Sequence, residues 1–316
     1  MISVVLPLWN KEDYIARTLR SVLGQTFQDF ELVVVDDGST DRSADIVRGF
    51  ADPRIRLVRQ ANGGVSNARN RGIAEARFPY VAFIDGDDEW MPEHLETLAH
   101  LIRTYPDCHV YSTCYLLQIG DRQPTRPNIA YRYLPFQEEG VMDNYYEVAT
   151  GINAPMNMST FAAKKSALEE IGGFPTGIRS GEDIITLARL NIRNNTAYST
   201  RCTSIVHLIY TGKNTRPLVK GEPLDDMFDK LLTDAPHRKG VRRFVSFWHK
   251  QQMVRAIYQH LYRPAFVHAR QALRIYPRQY KVFTAALLAL YSSGSGHDLY
   301  SLQQKFNRVF RLRRNP

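Results

Sequence analysis

Tyr80-Val81-Ala82-Phe83-Ile84-Asp85-Gly86-Asp87-Asp88-Glu89-Trp90 is the stretch around which the chain is read. Its first five residues are mostly apolar and read as a strand buried on both faces. Three carboxylates follow, Asp85, Asp87 and Asp88, and such a cluster repels itself unless a cation sits among them. Hard divalent ions take oxygen ligands, commonly one or two carboxylates completed by substrate phosphates. Gly86 lets backbone and ligand approach closely. Taken alone, Asp-Gly-Asp also fits a solvated acidic turn, so the neighbouring sequence has to decide.

Upstream, the same pattern recurs twice. Ile2 to Leu8 is an apolar, β-branched run, followed by Asn10 and a helix from about Lys11 to Leu23. Phe30 to Val35 is a second buried strand, ending in Asp36-Asp37-Gly38. Ser39, Thr40 and Asp41 are all suited to cap the helix that follows. Ile55 to Val58 is a third strand, Asn62-Gly63-Gly64 a tight turn, and Val65 to Ala76 a helix. Strands alternating with helices imply a doubly wound α/β fold with a mostly parallel sheet flanked by helices. Ligands of such sheets bind beyond the carboxyl ends of the strands. Asn10 with Glu12, the Asp36-Asp37 pair and the Asp85–Asp87 cluster all fall at those ends. No Gly-x-Gly-x-x-Gly follows the first strand and no Walker lysine pattern occurs, so a dinucleotide or P-loop site is excluded.

These residues carry a resemblance. Val34-Val35-Asp36-Asp37-Gly38-Ser39-Thr40-Asp41, the run Gly63 to Gly72, and Phe83 to Trp90 resemble the signature blocks of family 2 glycosyltransferases. Gly172-Gly173-Phe174 with Ser180 to Arg189 is similar to that family's acceptor-side block. Four blocks in order, across roughly residues 1–215, are far more specific than one. The resemblance implies a GT-A fold, Rossmann-like, and inverting transfer of a sugar from a nucleotide-diphosphate donor, most often UDP. It implies that Pro7, Leu8, Asn10 and Glu12 line the nucleotide pocket and that Asp37 hydrogen-bonds the base. Arg69 matches a nucleotide contact, Asp85 the ribose ligand beside Gly86, and Asp87 the ligand of Mn²⁺ or Mg²⁺. Asp183 matches the general base, with Glu182 beside it as a second candidate. The family often carries a metal-binding histidine after its last strand; here that spot reads Tyr210-Thr211-Gly212-Lys213-Asn214. His207 is therefore expected to be an ordinary strand residue.

The chemistry asks for such a set. A leaving diphosphate needs its growing charge neutralised, which a divalent ion does. The acceptor hydroxyl needs a base on the opposite face of the sugar. Plainer roles exist for single residues. Asp36 can tie down its turn, Asp88 and Glu89 can favour the start of a helix from Pro92 to Tyr105, Glu182 can serve as a cap, and Arg69 can pair with an acid of the rim. Cys108 to Met158 reads as irregular, and most of Tyr131, Tyr133, Phe136, Tyr145 and Tyr146 are expected to pack a long loop.

The totals bound the rest. The 316 residues, 44% hydrophobic and 23% charged, suffice for one large domain or one domain with an appendage. Cys108, Cys114 and Cys202 are too few for a disulfide framework and too far apart in sequence for a zinc site. No signal-peptide pattern opens the chain, and the longest apolar run, Val282 to Leu290, is half of the roughly 20 residues that span a bilayer. The net charge of +9 is uneven. From His237 onward there are 16 Lys and Arg against one acid, Asp298; before it stand 25 against 31. The expected organisation is a catalytic domain over 1–215 (nucleotide half 1–107, acceptor half 108–215), a linker over 216–240 and a basic helical extension over 241–316. Its last helix, Leu299 to Leu312, is amphipathic and basic. Residues 297–316 thus either touch an anionic membrane surface at the cytoplasmic face, near a saccharide or lipid-linked acceptor, or cap the catalytic domain. Two other functions compete. A sugar nucleotidyltransferase would want a glycine- and arginine-rich phosphate loop where Trp9-Asn10-Lys11-Glu12 stands. A nucleic-acid binder would use the basic tail but leave the acidic rim unexplained, so no nucleic acid is expected.

Overall fold

The computed structural model describes residues 1–178, 180–208 and 223–278. The chain divides into two compact units. Among the described residues the first holds 1–208 with 237–239, and the second 223–236 with 240–278.

The first unit is built on a nine-stranded sheet of order β3-β2-β1-β4-β8-β6-β9-β5, with β7 paired to β9. Its parallel half comes from the apolar runs. Strands β1 (Ile2–Leu8), β2 (Phe30–Asp36), β3 (Ile55–Arg59) and β4 (Tyr80–Phe83) alternate with helices α1 (Ile15–Leu23), α2 (Ser43–Arg48) and α3 (Val65–Glu75). Strand β1 lies in parallel between β2 (Ile2 opposite Phe30) and β4 (Ile2 opposite Tyr80). Being central and covered on both faces, it is apolar almost throughout. Helix α3 presses on β1 so closely that a methyl on Gly72 would stand 2.2 Å from Val5 Cγ1. Only a glycine lets the helix approach the strand that far. All three strands run the same way, so their carboxyl ends share one rim.

The other half differs from the sequence reading. The segment expected to be irregular contains β6 (Val110–Ile119), β7 (Glu139–Met142) and α5 (Tyr145–Val148). Beyond that segment, β8 (Phe161–Lys164) is short and β9 (Thr196–Leu208) is long, with His207 near its end. The cause lies in how these strands satisfy buried polar groups. Ser112 and Thr113 on β6 are fully buried, and so is Thr203 on β9. Ser112 Oγ donates to Thr160 O at 3.0 Å, and Thr203 Oγ1 to Thr113 Oγ1 at 2.8 Å. Hydroxyls bonded to each other can be buried without loss, so these strands show no apolar run. Strand β8 is antiparallel to both β4 and β6, while β6 and β9 are parallel with a register shift at Cys114. That pairing places Cys114 opposite Cys202, with their Sγ atoms 3.1 Å apart, although the two thiols are 88 residues apart in sequence. The edge strand β5 (Glu89–Trp90) precedes α4 (His94–Thr104), and β8 leads into α6 (Lys165–Glu170), then α7 (Glu182–Arg193).

The second unit comprises α8 (Leu224–Asp234), α9 (Val241–Tyr258) and α10 (Tyr262–Ile275). Helix α8 occupies the stretch read as a linker, its Phe228 stacked on Trp248 at 3.9 Å. Helix α9 packs through Met253, Ala256 and Ile257 against Ala265 and Ala272 of α10. Among the described residues no helix is long and apolar enough to cross a membrane. The helix expected at Leu299 to Leu312, the rest of the 297–316 segment and Tyr210 to Asn214 lie outside the described residues.

Candidate active site

The rim is laced together by the loops that leave the parallel strands. After β1 the chain turns at Asn10 with φ of +49°. Asn10 N donates to Ser39 Oγ, and its Oδ1 accepts Thr40 N at 2.9 Å. Lys11 N donates to Ser43 Oγ, and Glu12 N to Asp41 Oδ2. The Glu12 carboxylate accepts Arg42 N and pairs with its guanidinium. Pro7 is half-buried on the strand. Leu8 sends its side chain into the core and offers its carbonyl to Asp37 N.

Asp36 and Asp37 divide their labour. Asp36 accepts Ser39 N and pairs with Arg59 Nε at 3.0 Å, which is the turn-fixing role. Asp37 is 2% exposed, and its carboxylate gathers the following loop. Gln60 Nε2 and Gly63 N donate to Oδ1 at 2.7 and 3.0 Å, and Gly64 N donates to Oδ2 at 2.8 Å. A carboxylate has about four lone-pair sites, so one direction is left.

The acid cluster sits beyond β4. Asp85 N donates to Ser159 Oγ, and Asp85 Oδ1 accepts Arg69 Nη2 at 2.8 Å. Asp87 pairs with the Lys11 ammonium, while its carbonyl accepts Arg17. A methyl on Gly86 would meet Lys11 Cγ at 3.5 Å and Pro7 O at 3.6 Å, so internal packing does not demand glycine there. Asp88 and Glu89 do not start a helix. Asp88 is buried, takes Ser159 Oγ and His207 N, and is pushed up to about 8 by burial first and then by the charge of Asp85. Glu89 lies in β5 between Arg17 and His207 Nε2. His207 is a residue of β9, as read. Sequence reasoning missed Lys11, Arg17 and Ser159; nothing in spacing marks them.

Arg69 joins this side to the other. It is 3% exposed on α3, and besides Asp85 it holds Glu182 Oε1 at 3.2 Å. Burial alone would lower its pKa, but the charges of Asp85 and Glu182 outweigh that and raise it. Its guanidinium lies over the Phe174 ring at 5.2 Å, and Phe174 packs edge-on against Phe83. Asn70 clamps Phe174 with two backbone hydrogen bonds of 2.8 Å. Three of the four sequence blocks therefore meet at one cation, Arg69, while the Val34–Asp41 block is tied instead to Gly63 and Gly64 through Asp37.

Glu182 and Asp183 open α7 after Gly181, whose φ is +94°. Glu182 is buried against Arg69, and burial, then Asp183, pushes its carboxyl up. Its Oε2 has no hydrogen-bond partner among the described residues. Asp183 is half-exposed and accepts Ile184 N at 2.8 Å. Of the aromatics, Tyr145 and Tyr146 pack inside, the latter bonded to Ala188 O. Tyr131 and Phe136 instead line a surface hollow with Arg126 and Arg132.

A sequence profile of Glycosyl transferase family 2 matches residues 3–172. The chain belongs to that family. Among relatives of this family 2 chain, the uncharacterized glycosyltransferase EpsJ of Bacillus subtilis is 47% identical over 90 residues, 28% of this chain and 26% of that protein. The putative teichuronic acid biosynthesis glycosyltransferase TuaG of B. subtilis is 37% identical over 127 residues, 39% of this chain and 50% of that protein. The matches thus span half or less of each relative's length. The crystal structure of S. aureus TarS in complex with UDP-GlcNAc superposes with a TM-score of 0.68 at 17% identity, over 94% of this chain and 92% of that one. At that identity the likeness concerns the fold, which is GT-A.

The rim's donor set fits a divalent ion. Asp85 and Asp87 flank a single glycine, all their side-chain ligands are hard oxygens, and Asp88 feels the negative charge of both. Each acid meanwhile leans on a cationic side chain, Arg69 or Lys11.

Proposed function

We propose that this family 2 chain is an inverting, metal-dependent glycosyltransferase. It moves a hexosyl or N-acetylhexosaminyl group from a UDP-sugar to a hydroxyl of a glycan or lipid-linked saccharide in cell-surface polysaccharide synthesis. One observation carries the reading: carboxylates from three parallel strand ends share a rim, and Arg69 ties it to the helix start that presents Asp183. The UDP-GlcNAc complex of TarS and the teichuronic acid role in the name of TuaG support the donor class and the type of product.

In this reading Asp37 uses its remaining lone pair for the base, in the pocket edged by Pro7, Leu8, Asn10 and Glu12, and Asp85 with Gly86 meets the ribose. Asp87 holds Mn²⁺ or Mg²⁺, which when bound supplies Lewis-acid neutralisation of the diphosphate. Arg69 holds Asp85 in place and balances Glu182. Asp183 takes the proton of the acceptor hydroxyl as its oxygen bonds to the anomeric carbon and the diphosphate departs with the electron pair of the broken bond. Attack from the face opposite the leaving group inverts that carbon. Neither nucleotidyl transfer nor nucleic-acid binding gains a comparable observation.

A thermal-shift panel of nucleoside diphosphates and sugar nucleotides, with and without Mn²⁺, tests the donor assignment. UDP and at least one UDP-sugar are expected to raise Tm only when metal is present. Indifference to every nucleotide would remove the assignment.

A further inference from the structure

The second unit contains a cluster of titratable side chains that belongs to none of the four sequence blocks. His249 of α9 and His268 of α10 are buried, with their Nδ1 atoms 3.1 Å apart. His268 Nε2 lies 3.7 Å from Asp225 Oδ2 of α8. One ligand atom from each of Asp225, His249 and His268 falls within 4.8 Å of the others. We propose that Asp225, His249 and His268 form a transition-metal site of the zinc class that pins α8, α9 and α10 together.

Three features of the surroundings argue for a cation. The first is spacing: two nitrogens bound to one tetrahedral Zn²⁺ at about 2.0–2.1 Å sit roughly 3.3 Å apart, close to the observed separation. The second is orientation. His249 Nε2 is 2.9 Å from Asp229 Oδ1, one helical turn after Asp225. Donating its Nε2–H to that carboxylate fixes the tautomer that turns the Nδ1 lone pair inward, the usual outer partner of a ligating histidine. Trp248 Nε1 donates to Asp225 Oδ1 at 2.8 Å, which steadies the third ligand and leaves Oδ2 for the ion. The third is charge: two imidazoles and two carboxylates, Asp225 and Asp229, suit a divalent cation better than they suit one another. A nitrogen-rich set selects zinc-like ions over magnesium or calcium, so this site differs in kind from the oxygen-lined rim. The competing arrangement is a metal-free N–H···N hydrogen bond between the two rings.

The full chain, stripped with chelator and dialysed against micromolar free Zn²⁺ with excess Mg²⁺ to fill the carboxylate rim, is expected to retain a single equivalent of zinc. His249→Gln and His268→Gln should each lose it, and Asp87→Asn should keep it. Zinc should also raise the Tm of the wild-type chain and leave that of His268→Gln unmoved. If a glutamine variant fails to fold, X-ray absorption on the zinc-loaded wild-type chain decides, with two imidazole ligands expected. Failure of the wild-type chain to hold zinc, an all-oxygen shell, or zinc kept by both glutamine variants would overturn the site and leave the histidines as a hydrogen-bonded pair.

Discussion

Asp183→Asn is expected to bind the nucleotide donor as the wild-type chain does and to lose transfer by roughly 10²–10⁴-fold, the usual worth of a positioned general base. The amide keeps the shape of the carboxylate and can still accept Ile184 N, so the start of α7 should hold. What it cannot do is take a proton. Glu182 is no substitute despite standing next in sequence, because its Oε1 is held by the buried Arg69 guanidinium and its side chain faces inward. The readout is kcat for UDP release with acceptor present, alongside donor affinity from titration. Turnover near the wild-type rate in this variant would move the base elsewhere.

Arg69→Met should be the most destabilising single change at the site. It removes the shared partner of Asp85 and Glu182 and leaves the second carboxylate buried with no counter-charge. Breaking one side of a buried ion pair typically costs about 3–5 kcal/mol. Asp85 is partly exposed and water can compensate it, so most of the loss is assigned to Glu182. The double variant Arg69→Met/Glu182→Gln should therefore recover a sizeable part of the loss, a coupling that a mutant cycle reads directly. Urea unfolding of the four proteins measures it. A single-variant loss within about 0.5 kcal/mol, the range of ordinary surface changes, would mean that Arg69 does not bind the blocks together.

These two residues show what the sequence makes legible. The apolar runs at Ile2, Phe30 and Tyr80 announce buried parallel strands, and acids placed just after them must share a rim once the strands are parallel. Asp36, Asp37, Asp85 and Asp87 could all be located that way. The Arg69–Glu182 pair could not: 113 residues separate the partners, and only the packing of α3 and α7 brings them together. Strand β6 and the first part of β9 escaped for another reason. Several of their polar side chains find partners across the sheet, Thr203 on Thr113, Cys202 on Cys114 and Ser112 on Thr160, and a residue-by-residue hydrophobic pattern does not register such pairing. Asp88 looks like another acid of the cluster on paper, yet Ser159 and the backbone of β9 absorb it as an internal group. In the stretch read as a linker nothing marks Asp225 and Asp229, and only the folded helices set them beside two histidines.

The central claim is that carboxylates delivered by separate strands form one donor site with a metal. Calorimetric titration of UDP in Mn²⁺ into the wild-type chain, Asp37→Asn and Asp87→Asn tests it most directly. Metal-dependent binding to the wild-type chain is expected, weakened about tenfold or more in each variant, a loss of roughly 1.4 kcal/mol, with only Asp87→Asn losing the dependence on Mn²⁺. Equal affinity in all three folded proteins, or binding to the wild-type chain that ignores Mn²⁺, would contradict the account.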